Sequence, residues 1–435
     1  MNPANKNATF ILIYPYKFSE FLWKLFELDE FKRFVEVQVW DISAITTPKF
    51  SEGIVTPRCS RSEVVFCTSI FGYLRLLSNL RRQTSHSNIC VLNTITSASI
   101  IEFLCNLLLT IFLKSKNIKV FDLYTGGIPI VYPKTHEDGH ASKKVSGIFA
   151  KFARFVSRVD TLAEAVITLR SFFLMKLSKK FPAVLTHRLV AGEQWVSLAM
   201  REHRNGLRLI NAHSHDYSVH LLAKKHSILP ESNGNKTAVF LSSPNPMFGG
   251  DEVLHGRDDH FTSEVWYPAL TRFFDFLEPA TGVKVEVAGH YKAAFPAIAP
   301  CFGNRSVYYG KTREMVRQSK FVITIASTAI SYAVLFKKPV IFIYSNQLKG
   351  HSEPMDDVYG MAEMLGTVPI NIDDLPEDIS PYLMVNEAKY AAYEREVLTS
   401  EPLGRPNFQI VLEDIMGVST KSALPVELKE SDNIK

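Results

Sequence analysis

A chain of 435 residues is longer than one ordinary hydrophobic core accommodates and points to two domains of roughly 200 residues each. Its residues are 46% hydrophobic and 21% charged, enough to build substantial cores, and the net charge of +5 is small for this length, so nucleic acid is not an expected partner. The five cysteines (Cys59, Cys67, Cys90, Cys105 and Cys301) show no CxxC pairing, which argues against a disulfide framework or a zinc site and suits a reducing, cytoplasmic setting.

From the amino end, MNPANKNATFILIYPYKF holds an apolar run too short and interrupted for a signal peptide, and Thr9 to Tyr14 reads as a buried strand. An aromatic-rich helix, EFLWKLFEL, follows, then a strand, VEVQVWDI, and a Pro-, Ser- and Arg-rich loop. EVVFCT, NICVLN and IKVFDLY are further strands, and LCNLLLTIFL reads as a buried helix about half the length of a membrane span. The series continues through PAVLTHRLVAG and RLINAH. Strands alternating with helices define an α/β domain with a mainly parallel sheet, placed at 1–232.

Between Lys143 and Lys180 basic residues far outnumber Asp160 and Glu164 and interleave with phenylalanines. This basic amphipathic segment, 143–180, is expected to touch an anionic membrane surface, making the protein peripheral on the inner face of the plasma membrane.

After the turn-rich SILPESNGNK a second strand–helix series occupies 233–420, and 421–435 reads as a charged, disordered tail. Within it, KVEVAGH, FVITIA and PVIFIY are strands, separated by the helices GKTREMVRQSK and STAISYAVLFKK. Apolar runs without alternation suit a parallel sheet covered on both faces, where ligands bind beyond the carboxyl ends of the strands. Those ends carry Gly289-His290 and Ser327-Thr328, and the second pair opens a helix whose free N–H groups suit a phosphate. Lys311 and Thr312 could contact a base or ribose, although an N-cap role for Thr312 with Met315 packed below it is the simpler account. The missing first glycine and spacer exclude a P-loop at Gly310-Lys311-Thr312.

On these residues the chain resembles GT-B glycosyltransferases, and more narrowly bacterial enzymes of capsule and lipopolysaccharide biosynthesis. The resemblance is carried by AVFLSSPNPMFGGDE, VWYPALTRFFDFLEPATGVKVEVAGH and GKTREMVRQSKFVITIASTAISYAVLFKKPVIFI. It implies two Rossmann-like domains facing a central cleft, an acceptor-binding amino-terminal half and a nucleotide-sugar-binding second half. Relatives using CMP-linked acidic sugars carry a His-Pro pair and an acidic FLDE segment. Here Tyr291 follows His290, and Ser242-Ser243 stand in the second motif, with Asp251 and Glu252 in the loop beyond.

The implied activity is metal-independent transfer from a nucleotide-sugar donor to a surface-polysaccharide or lipid-linked glycan acceptor, without a cofactor. Such a reaction needs charge stabilisation at the departing phosphate, assigned to Gly289, His290, Lys311, Thr312, Ser327 and Thr328, and a base for the acceptor hydroxyl. Three carboxylates near strand ends are candidates for the base: Asp122, beside Gly126-Gly127, Glu193 and Asp216. The spacing of His213, His215, Asp216 and His220 matches no common metal site. A sugar-nucleotide 2-epimerase and a non-catalytic glycan- or nucleotide-binding subunit are the alternative readings.

Overall fold

A computed structural model of the chain describes residues 8–54, 56–83, 88–97, 99–113, 118–125, 170, 173–202, 206–225, 237–247, 262–293, 295–349 and 352–420. The expected boundary at 232/233, most of the basic segment 143–180, Gly126-Gly127, Asp251-Glu252 and the tail 421–435 lie outside the described residues.

The first half builds a seven-stranded parallel sheet from β1 (Ala8–Tyr14), β2 (Glu36–Asp41), β3 (Val64–Phe66), β4 (Asn88–Asn93), β5 (Lys119–Tyr124), β6 (His187–Ala191) and β7 (Arg208–Ala212). Its order, β3-β2-β1-β4-β5-β6-β7, is that of a doubly wound Rossmann sheet, in which chain direction across the sheet reverses between β1 and β4. Right-handed crossovers impose this arrangement, because each buried strand must be followed by a helix that packs back on the sheet. The central strands are covered on both faces; Phe10, Leu12 and Leu92 pack into one core, Ile11, Ile13 and Val91 into another.

The second half repeats the plan with β8 (Thr237–Leu241), β9 (Lys284–Ala288), β10 (Ile298–Ala299), β11 (Arg305–Tyr308), β12 (Ser319–Thr324), β13 (Val340–Tyr344) and β14 (Ile370–Asn371). The order is β10-β11-β9-β8-β12-β13-β14, all parallel except the short edge pair β10–β11, with the reversal between β8 and β12. Two doubly wound domains of this kind make the GT-B architecture.

Among the helices that matter below, α1 (Glu20–Leu25) and α2 (Leu28–Phe31) replace the single helix expected from EFLWKLFEL. The break falls at Glu27, which takes the left-handed conformation (φ 57°) and sends its carboxylate inward to accept the Phe408 N–H at 3.0 Å. Then come α3 (Ile70–Gln83), α4 (Ile100–Leu113), α5 (Gly192–Arg201) and α6 (His215–Lys225) in the first half. In the second, α7 (Ser263–Thr281), α8 (Thr312–Gln318) and α9 (Ile330–Leu335) follow.

One feature of the chain's course departs from the expected division at 233–420. Phe408, Ile410, Val411, Leu412, Ile415 and Met416 lie in the core of the first domain, so the chain crosses back after completing the second sheet. The crossing is tight at Gly192 (φ +73°), where a Cβ would stand 2.4 Å from the Glu396 carbonyl oxygen; glycine alone fits there.

Candidate functional site

The chain reversal in the second sheet lies between β8 and β12, which is where a ligand of such a sheet is bound. Just beyond β8, the Ser242 hydroxyl donates to the Ser243 carbonyl at 2.9 Å and Ser243 Oγ accepts the Asn245 N–H at 3.2 Å, shaping a tight turn. Around this turn are buried polar atoms with no hydrogen-bond partner: Asn245 Oδ1, Thr324 Oγ1 at the end of β12, and Ser345 Oγ and Gln347 Oε1 past the end of β13. Buried polar groups in folded proteins are nearly all paired, so a group of orphans at one strand-end surface marks a place where a polar ligand or water is accommodated.

A cation stands beside it. Arg313, on α8, packs its helix against α9, β8 and β12, and only 12% of its side chain is exposed. Nη1 pairs with Glu314 Oε1 at 3.1 Å, but the buried Nε and Nη2 have no acceptor. A buried guanidinium edge without an acceptor is costly, and its planar pair of N–H groups matches the geometry of a phosphate or carboxylate. Across the cleft, His220 of α6 lies edge-on to Phe336 (ring centroids 5.2 Å), with a buried, unpartnered Nδ1. Burial foremost, then the charges of Arg313 and Lys224, hold its imidazole down at about 4, so it is neutral at physiological pH.

Asp216 joins this cleft from the first domain, in the first turn of α6. It meets the hydroxyls of Tyr332 and Ser331, both on α9, and burial pushes its carboxyl up to about 6. The Ser331 hydroxyl spends its single proton on the Thr328 carbonyl at 2.6 Å, so toward Ser331 the favoured partner is a protonated Asp216. The group is therefore poised to change protonation close to neutrality, as a general acid or base must.

The other carboxylates stand elsewhere. Asp122 is held by Arg188 in a bidentate pair, 2.8 and 2.7 Å, on the sheet face covered by α5; Arg188 also lies 3.9 Å over the Tyr124 ring and 3.5 Å from Glu202. Both oxygens are committed to the Arg188 guanidinium, which leaves neither turned toward a substrate hydroxyl. Glu193 is exposed and pairs with Arg395 of the returning segment at 3.2 Å.

Of the residues assigned to the donor, Gly289 is buried for packing: a Cβ there would lie 2.7 Å from the Tyr309 ring. His290 stacks on Tyr291 (4.8 Å) and accepts the Lys292 N–H on Nδ1 at 3.3 Å. Tyr291 in turn stacks on Phe21 of α1 at 5.4 Å and its carbonyl accepts the Thr56 hydroxyl, so the β9 turn touches the first domain. Lys311 is exposed, 5.9 Å over Tyr308. It also occupies the N-cap of α8, so Thr312 is the first helical residue and not the cap; Met315 is buried, as expected. Ser327 Oγ accepts the Ala329 N–H at 3.2 Å, and α9 begins only at Ile330, so the hydroxyl pair sits in the turn ahead of the helix with Thr328 exposed.

His213, His215, Asp216 and His220 diverge to separate partners. His213 is buried against the Thr399 hydroxyl (2.7 Å) and the Arg405 carbonyl (3.0 Å), and His215 packs edge-on to Phe26. Burial lowers both imidazoles to about 4.

Comparison with known proteins gives neither a matching protein-family model nor a matching curated protein. Solved structures do align along nearly the whole chain. Methanocaldococcus jannaschii UDP-GlcNAc 2-epimerase in complex with UDP-GlcNAc and UDP is 9% identical, with TM-score 0.39, covering 93% of this chain and 98% of that one. Acinetobacter baumannii MurG is 8% identical, with TM-score 0.38 and coverage of 95% and 100%. The glycosyltransferase SnogD from Streptomyces nogalater is 10% identical, with TM-score 0.37 and coverage of 90% and 94%. The architecture rests on the strand orders and the two cores described above.

Proposed function

We propose that the protein is a nucleotide-sugar-dependent glycosyltransferase acting on a surface-polysaccharide or lipid-linked glycan acceptor. The observation that carries this reading is Arg313: a mostly buried guanidinium at the strand ends of the second sheet, with two N–H groups lacking an acceptor. In this reading Arg313 binds the donor phosphate, Ser327 and Thr328 support it, neutral His220 donates or accepts at the sugar side, and Asp216 takes the acceptor proton. Arg313 replaces Lys311 as the leading cation, since Lys311 is exposed.

The test is thermal protection by CMP-, UDP- and GDP-sugars offered separately to the wild type and to Arg313→Leu. One donor class is expected to raise the wild-type melting temperature, with the rise lost in Arg313→Leu. Protection that survives in Arg313→Leu would move the phosphate site elsewhere. Turnover of the protecting donor into its 2-epimer without an acceptor would replace transfer by epimerisation, and binding without any turnover would leave a nucleotide-binding subunit.

A further inference from the structure

On the first domain, away from the chain's return, two helices present an apolar surface to solvent. α4 exposes Ile100, Ile101, Leu104 and Ile111, three of them, at 100, 104 and 111, on one helical stripe, and α3 adds Phe71, 79% exposed. The helices are packed together, with the Tyr73 hydroxyl donating to the Cys105 carbonyl at 3.3 Å. The chain at 173–184 extends this surface: the Val184 N–H donates to Thr110 Oγ1 of α4 at 3.0 Å, and Phe173, Met175 and Phe181 upstream are exposed while Leu174 is buried. Scattered exposed apolar residues are ordinary, but a continuous set on neighbouring elements is not.

Among the described residues of α3, α4 and 173–181, the exposed charges have one sign. Arg75, Arg81 and Arg82 on α3 and Lys176, Lys179 and Lys180 in the helical residues 173–180 are all exposed. Over α3, α4 and 173–181 the only carboxylate is Glu102, fully buried and accepting the Thr96 hydroxyl at 2.9 Å. We infer that this face seats on an anionic lipid surface, its apolar side chains entering the headgroup boundary and its six cations meeting lipid phosphates. A second copy of the chain fits less well, since a twofold contact would bring the two cationic sets together. The 14 residues of α4 span about 21 Å, short of the ~30 Å hydrocarbon core, so the helix lies on the bilayer. Because α3 and α4 start just beyond the carboxyl ends of β3 and β4, Phe71 and Ile100 stand at the rim of the cleft, and docking turns the acceptor side of the cleft to the membrane. The surface is argued from residues other than 143–169, and the inference stands whether or not the catalytic reading does.

Co-sedimentation of the full chain with vesicles tests this. Wild type is expected to bind phosphatidylcholine vesicles containing about one-third phosphatidylglycerol, weakly at high salt, and not pure phosphatidylcholine. The variant Phe71→Ser/Leu104→Ser/Ile111→Ser and the variant Arg81→Gln/Arg82→Gln/Lys176→Gln/Lys179→Gln should each lose at least about tenfold in binding. All seven positions are exposed, and unchanged melting temperatures confirm folding. Retained binding by both variants, or its loss only on changing Lys143, Lys144, Lys151 and Arg154, overturns the inference. So does a wild-type dimer that the apolar variant makes monomeric with vesicle binding unaltered.

Discussion

The two sheets share one strand order but differ at the point where it reverses. Between β1 and β4 the polar groups are matched to one another: the Pro15 carbonyl accepts the Thr46 and Thr47 hydroxyls, Thr94 donates to the Ile13 carbonyl at 2.8 Å, and Asn93 pairs with Asn106 at 2.8 Å. Nearby, buried Asp41 accepts the Phe18 and Ser43 N–H groups and the Arg58 guanidinium. Between β8 and β12 the corresponding surface leaves Asn245, Thr324 and the Arg313 guanidinium short of partners. Equal topology therefore does not mean equal use. The first reversal is closed mostly by the protein's own groups, whereas the second leaves a guanidinium edge and two side-chain oxygens without partners.

The sharpest way to break this contrast is to remove one arginine from each half. Arg188→Leu strips the partner from Asp122 and should destabilise the ligand-free protein by roughly 3 kcal/mol. Arg313→Leu removes a charge that has little to lose and should leave the ligand-free protein as stable or about 1 kcal/mol more so. Denaturant titrations of both variants measure this, and equal losses would mean that Arg313 is as well paired as Arg188.

In the first half Glu27 also has a buried Oε1 without a partner, and its carboxyl is pushed up to about 7, by burial first. A carboxyl whose pKa is raised on folding contributes stability that is complete below its unfolded value, near 4.5, and lost as pH rises through about 7. Glu27→Gln should therefore flatten the pH dependence of stability between those limits, and at pH 8 gain on the order of 3 kcal/mol over wild type. Parallel pH profiles for the two proteins would refute the assignment. Asp216, raised to about 6, adds a loss of the same sign between its ordinary 3.8 and 6.

At the cleft itself Asp216→Asn should cost turnover by about 100-fold while donor affinity stays nearly intact, once the acceptor is identified. Full turnover in this variant would return Asp122 and Glu193 to consideration. The smallest effect expected is that of Ser327→Ala with Thr328→Ala, about tenfold in donor affinity by calorimetric titration, since both hydroxyls lie in a turn and one is exposed. No change would leave Arg313 to hold the phosphate alone.

Much of the frame was legible in the chain. FILIY, FVIT and VIFIY all form strands, because an apolar run of that length is stable only between two helical layers, and VEVQVWD does so by alternation. The position of Ser327-Thr328 beyond a buried strand was readable for the same reason. Asp122, Glu193 and Asp216 were indistinguishable, each being a carboxylate near a strand end. What separates them is Arg188 across a strand register, Arg395 on a returning segment and Tyr332 on the other domain. Arg313 gave no signal at all, since an arginine in TREMVRQ reads as the solvated face of a short helix. The sequence by itself determined the periodic order of strands and helices, because hydrophobic period is a local property of the chain. Only the tertiary structure decided which charges are paired, which helix faces stay open and where the chain crosses back, because each of these depends on what distant residues bring to the same place.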